Sequence, residues 1–386
     1  MDIENGLKVL AVGDPAVYAY TDSRFSLIEK FNKTRGVKVE FNIVPFDRYY
    51  ETMMSTFNGE QDYDIVMVAG HLWAKDFINQ GFLAEVQYPS TKEYNREDIL
   101  DVIAGEMVVD GRPYLYPSFC DGHIFLYRKS VVSRVMNEQL SDVVDTDTIL
   151  LLAEKCDRVD NMRAIALKAH QSEIFLDFLP YLRNEAIDAF DITSHAPSFN
   201  NEKGIIALKK YNSLKKYAPE DTHTYGNDEV RVAFQKKKVA LTVTWGGQLG
   251  VVLNDRCLDI EDVGFAAIKT AWNVTWSFAI SQRCKNKKLA NEFLAYITSS
   301  EVDRIVGGYA GSPVRKSTYV KDAEKYRWYD THLKLIEKYA KPLPMMDRAG
   351  EKMAPLYDYI YKAFTGELDA GEALAYAEVK VKSVVN

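Results

Sequence analysis

An α/β fold in two domains is what this chain predicts, on three observations. At 386 residues it exceeds the size at which a single hydrophobic core keeps growing. Strand and helix signals alternate from the first residues, and after about Arg112 the alternation restarts. No low-complexity linker or internal repeat divides the halves, so the chain is expected to cross between its domains more than once.

The elements follow in order. LKVLAVG (Leu7–Gly13) is an apolar strand ending in glycine. Phe25, Leu27, Ile28 and Phe31 form one face of an amphipathic helix closed by Gly36. VKVEFNIVP (Val37–Pro45) alternates as a second strand, and Tyr49–Phe57 reads as a helix before Asn58-Gly59. YDIVMVAG (Tyr63–Gly70) is a buried strand, followed by a short helix to Gly81. This βαβαβ order implies a parallel sheet with right-handed connections and ligands outside the carboxyl ends of its strands. That geometry sets Gly13–Tyr18 and Gly70–Trp73 at one mouth. Further on, His123–Lys129, Arg163–Ala169, Lys238–Trp245, Asp262–Ile268 and Trp276–Gln282 read as strands. Helices are expected at Thr148–Cys156, Ser172–Leu182, Glu202–Tyr217, Lys287–Thr298 and Ala354–Val385, the last interrupted at Thr365-Gly366.

Composition excludes several function classes. The net charge of −7 opposes a nucleic-acid partner and gives no support to binding an anionic membrane. No apolar run reaches the roughly 18 residues of a membrane span. Cys120, Cys156, Cys257 and Cys284 lie far apart, without metal-ligand spacing, and sequence chooses no pairing among them. Asp142, Asp145 and Asp147 lack the central glycine of a calcium loop and read as a turn with a helix cap. Lys236–Lys238 is a solvated turn, and GDPAVY (Gly13–Tyr18) lacks the glycines of a nucleotide fingerprint. No cofactor or metal is expected, and no pair of acids is singled out for glycoside hydrolysis.

What stands where such chemistry would sit is aromatic and hydrogen-bonding residues in three expected loops: His71–Trp73, Pro117–His123 and Thr242–Gly247. Rings with neutral donors and few charges suit a polar, uncharged ligand with apolar faces. The pattern is that of a binder, not an enzyme. Trp73 would stack on a ligand face or cap the following helix against the core. Asp121, with Ser118 and Phe119, would accept from paired hydroxyls or form an Asp-Gly turn. Trp245 ends a strand, and Gly246 after it lets backbone N–H groups approach a ligand.

Collinear segments then carry a resemblance over nearly the whole chain. They include FNKTRGVKVEF (Phe31–Phe41), YDIVMVAGHLWAKDFINQGFLAEV (Tyr63–Val86), DGRPYLYPSFCDGHIFLYRKSV (Asp110–Val131) and SFNNEKGIIALKKYNSLKKYAP (Ser198–Pro219). EVRVAFQKKKVALTVTWGG (Glu229–Gly247) is the most telling; Ile280–Glu301, Gly311–Ser317 and Ala363–Glu378 also fit. Together they resemble family 1 extracellular solute-binding proteins, the receptors of bacterial ABC sugar importers. The resemblance implies a two-lobe periplasmic-binding-protein-like fold (type II) whose lobes close on ligand about a hinge. By analogy lobe 1 holds residues 1–112 and 258–310, and lobe 2 holds residues 113–257 and 311–386. It implies a monomer that binds a carbohydrate, an oligosaccharide in this reading, and meets ABC permease subunits outside the cytoplasm. The leader or lipid anchor of the family is absent from MDIENGLKVL, read as a trimmed start with Met1 added. The implied ligand-binding set is His71, Trp73, Ser118, Phe119, Asp121, His170, Trp245, Gly246, Trp276 and Tyr309. Trp276 shapes the pocket at a strand entry, Tyr309 sits in a glycine-rich loop (GGYAGSP), and His170 ends a strand. The alternatives are a receptor of the same fold for a polyamine, metal complex or peptide, and, more remotely, a glycoside-processing enzyme.

Overall fold

A computed structural model describes residues 6–91 and 93–384 of the chain. The opening MDIEN and the expected helix end at Val385 lie outside the described residues. The chain forms two compact units: Met1–Asp121 with Val274–Asp330, and Gly122–Asn273 with Thr331–Asn386. It passes from one to the other three times, as multiple crossings require. The changeovers fall later than the expected boundaries after residues 112, 257 and 310. The first lies inside a strand, Leu115–Arg128, that runs unbroken through the segment expected to be a loop.

In the first unit, Gly6–Val12 pairs in parallel with Lys38–Val44 on one side and Ile65–Ala69 on the other. Asn273–Ser281 adds antiparallel to Ile65–Ala69, with Trp276 opposite Ala69. Ile65–Ala69 is completely buried, consistent with a run of apolar residues between two covered faces. Asp14 starts the helix Pro15–Thr21, its Oδ1 accepting from Ala16 N at 2.8 Å with proline in the first turn. Gly36, at φ 65°, ends Leu27–Arg35 in the left-handed conformation that suits a residue without Cβ.

In the second unit the part of Leu115–Arg128 from Gly122 onward is the central strand. Val239–Trp245 and Val263–Ile268 pair antiparallel along its two edges, with Trp245 opposite His123. Arg163–Ala166 then joins Val239–Trp245 in parallel, and Val143–Val144 joins Val263–Ile268. Helices Ile174–Asn184, Glu202–Ser213, Ala349–Thr365 and Ala370–Ser383 belong to the same unit. Their starts obey local chemistry: Asn201 caps Gly204 N at 3.1 Å, and Asp369 with Glu372 forms a capping box. Asp145 caps its helix through Thr148 N at 2.9 Å, while Asp142 and Asp147 pair with Lys334 and Lys210. Asp145 is thus the helix cap that the sequence suggested, while the other two acids pair with residues distant in the chain.

Candidate functional site

The first unit gathers an aromatic group where its parallel strands end. Trp73 lies in the turn Gly70–Ala74 directly after Ile65–Ala69 and is 9% exposed. Phe46, just beyond Lys38–Val44, stacks on it with centroids 6.2 Å apart. Trp276 meets Trp73 edge-on at 5.9 Å and lies parallel to Phe119 at 6.4 Å. Trp73 and Phe119 are therefore walls more than open faces, with Phe119 wholly buried and Trp276 half-buried. The exposed rings are Tyr18 at 48%, in the segment expected at the mouth but not named as a contact, and Phe46 at 53% and Tyr50 at 47%, which sequence reasoning passed over. A signal existed, since Phe46 opens the helix after the second strand and Tyr18 lies in the helix after the first.

Polar groups adjoin these rings. Ser118 is buried on Leu115–Arg128 and shares a 2.6 Å hydrogen bond with Tyr20 Oη. Asp121, on the same strand and 6% exposed, lies close enough to Asp14 for the two carboxyls to interact. Asp14 reaches solvent with part of its surface, yet its carboxyl is largely desolvated. That burial, then the Asp121 charge, raises its pKa well above the ordinary value. Asp14 belongs to the GDPAVY segment read only for a missing nucleotide fingerprint, and so was missed. His71 is buried beside Trp73 in the chain, and burial lowers its pKa to about 3. It is therefore neutral at physiological pH.

The second unit builds its group around Trp245, which is 6% exposed. His123 lies parallel to the indole with centroids 4.1 Å apart, and Lys168 Nζ stands 3.4 Å from the ring centroid. An imidazole and an ammonium at such distances cannot share one face, so they bracket the indole. Trp272 packs edge-on at 5.0 Å, and its Nε1–H donates to His123 Nε2 at 3.2 Å. Both faces of Trp245 are taken, which departs from the expectation of an open stacking platform. Gly246 also differs from its expected role. A Cβ there would lie 2.0 Å from His332 Nε2, so the glycine makes room for a buried imidazole rather than for a ligand.

Two expected contacts lie apart from these groups. His170 is exposed at the start of Ile174–Asn184, where its Nδ1 accepts from Ser172 N at 3.2 Å and bonds Ser172 Oγ at 2.8 Å. It organises a turn. Tyr309 is not in a loop but within the helix Ser300–Ala310. There it packs against Phe25 and Arg24 and lines a surface cavity of about 430 Å³ with Arg304 and Tyr326. The glycines of GGYA suggested a loop; both sit where Pro313 and Tyr326 approach the helix too closely for a Cβ. All four cysteines are buried.

Comparisons with known proteins agree with this architecture. Residues 23–304 match the profile of the bacterial extracellular solute-binding proteins. The erythritol/L-threitol-binding protein of Mycolicibacterium smegmatis is 22% identical over 341 residues, 78% of this chain and 69% of that protein. Maltose-bound MalE3 of T. maritima has a TM-score of 0.87 at 19% identity, covering 98% of this chain and all of the other. A solute-binding protein of Agrobacterium radiobacter K84 in complex with ribitol has a TM-score of 0.84 at 18% identity, with 99% of each chain covered. These likenesses establish the two-lobe periplasmic-binding-protein fold. Because the family profile spans most of its length, the chain belongs to the bacterial extracellular solute-binding proteins.

Proposed function

We propose that this chain is the receptor of an ABC importer for a carbohydrate or polyol, acting outside the cytoplasm by binding rather than catalysis. The observation that carries the reading is the set of exposed rings, Tyr18, Phe46 and Tyr50, on the helices that follow the first unit's first two parallel strands. Rings supply apolar contact for the C–H face of a sugar, while Asp14 and Asp121 beside them accept from hydroxyls. Ser118, with its hydroxyl oriented by Tyr20, is a further contact in this proposal, and neutral His71 offers one donor and one acceptor. Trp73 and Trp276 pack against Phe46, and Phe119 lies against Trp276. In the second unit Trp245 acts as a wall that positions Lys168 and His123, not as a stacking face.

The named ligands of the similar proteins, erythritol or L-threitol, ribitol and maltose, support a polyhydroxylated solute and span lengths from polyol to disaccharide. Delivery to permease subunits follows from the family role. Among the described residues no helix is long and apolar enough to cross a membrane.

A thermal-shift panel tests the reading: tetritols to hexitols, monosaccharides and maltodextrins, with polyamines, amino acids and divalent metals beside them. A ligand at 100 times its Kd stabilises by about 2.7 kcal/mol, enough to move a melt by several degrees. A shift from a sugar or polyol is expected. Shifts from polyamines or metals alone would overturn the carbohydrate reading and leave the family assignment untouched.

A further inference from the structure

The surface cavity beside Tyr309 lies within the first unit, and it is accessible to solvent. Glu301, Arg304, Ile305 and Gly308 recur at helical spacing, so one face of Ser300–Ala310 forms its floor. Gly308 lets the Tyr326 ring close one side, since a Cβ there would overlap the Tyr326 hydroxyl. Phe25 and Tyr309 close another side, edge to face with centroids 6.0 Å apart. Arg24, tied to Asp22 by paired hydrogen bonds, lies 5.6 and 5.7 Å from the centroids of those two rings. The volume of about 430 Å³ falls within the range of small-ligand sites. None of the residues assigned to the Tyr18, Phe46 and Tyr50 site lines this cavity.

The polar groups of the lining fit a neutral ligand. Glu301 and Asp322 balance Arg304 and Lys325, so the cavity carries no net charge. Arg304 donates from Nε and Nη2 to Asp322 at 3.0 and 2.6 Å, which engages two of its five N–H groups and leaves the others for a ligand. Lys325 stands 4.9 Å from the centroid of the Tyr326 ring. Glu301, one turn before Arg304 on the same helix face, is exposed and makes no hydrogen bond or ion pair among the described residues. A hydroxyl both donates and accepts, so adjacent hydroxyls can give protons to Glu301 while accepting from Arg304. A charged ligand gains less: a carboxylate meets Glu301 and Asp322, and an amine meets Arg304 and Lys325. The half-buried rings of Phe25, Tyr309 and Tyr326 offer apolar contact to the C–H face of a sugar.

We propose that this cavity is a second carbohydrate site, taking a neutral sugar or polyol through Glu301, Arg304 and the rings of Phe25, Tyr309 and Tyr326. Its residues are separate from those of the first site, so the two assignments can fail independently. NMR of the full chain with isotope-labelled tyrosine rings tests it, Tyr309 and Tyr326 being assigned by substitution with phenylalanine. D-Glucose, D-glucitol and maltose are titrated, with D-gluconate and spermidine as charged controls. At least one neutral compound is expected to shift both resonances saturably, with a midpoint that Phe46→Ala changes less than twofold. Glu301→Ala and Arg304→Met, both at exposed positions, should raise that midpoint fivefold or more. Unchanged midpoints in both variants would overturn the proposal, as would larger shifts from the charged controls or none from any neutral compound. A midpoint that moves with Phe46→Ala would report the first site instead and overturn it too. The effect of Phe46→Ala on calorimetric affinity tests the first site whichever result is found here.

Discussion

Gly246 and His332 form a pair whose energetics are open to direct test. A methyl group on Gly246 would overlap the imidazole at 2.0 Å, and His332 is fully buried with little room to retreat. Gly246→Ala is expected to lower stability by about 1–3 kcal/mol, the usual cost of overpacking. In a Gly246→Ala, His332→Ala double variant, part of that loss should return relative to His332→Ala alone, as measured by urea denaturation. Equal costs in both backgrounds would mean that the two residues do not interact.

His332 also carries a pH signature. Burial depresses its folded-state pKa to about 3, below the unfolded value near 6.5. Its contribution is therefore fully present above pH 6.5 and is lost as pH falls through and below that value. By linkage the loss at pH 5 is about 2 kcal/mol. A His332→Asn variant lacks this loss, so the stability gap between it and the unaltered chain should narrow by that amount from pH 7 to pH 5. A gap independent of pH would show that the imidazole is not held neutral.

At the scale of elements, the helix Pro15–Thr21 ties the candidate site to secondary structure through Asp14, which both caps it and faces Asp121. Asp14→Ala should cost about 1 kcal/mol for the lost cap. Asp14→Asn keeps an accepting oxygen and removes the charge, so its stability at pH 7 should match or exceed that of the unaltered chain. Chemical denaturation of the two variants separates the capping role from the electrostatic one.

Elements were legible in the sequence where periodicity alone decides them. Gly6–Val12, Lys38–Val44 and Ile65–Ala69 fall within a residue or two of the expected strands, and Lys287–Ile297 matches its predicted helix closely. Misreadings came where proline or glycine serves packing. Pro117 and Asp121-Gly122 suggested a loop, yet they lie in the strand Leu115–Arg128, where a Cβ on Gly122 would lie within 3 Å of Leu335 and Ile336. Such constraints depend on residues distant in the chain, and no local pattern encodes them. The site was legible in part for the same reason: strand ends pointed to Trp73 and Trp245, but what covers each ring is tertiary.

For the whole molecule, the two-unit α/β fold carries the proposed site of exposed rings beside the carboxyls of Asp14 and Asp121. Phe46 is the most informative residue, because it is 53% exposed and its removal should leave the fold intact. Covering that exposed ring face on binding contributes about 1–1.5 kcal/mol, near a factor of ten in affinity. The decisive measurement is calorimetric titration of the strongest-shifting sugar or polyol into the unaltered chain and into Phe46→Ala. Micromolar or tighter binding is predicted for the first, about tenfold weaker binding for the second, and melting temperatures within a degree or two of each other. Equal affinities would remove the exposed rings from the site, and the absence of binding by any member of these classes would contradict the carbohydrate receptor itself.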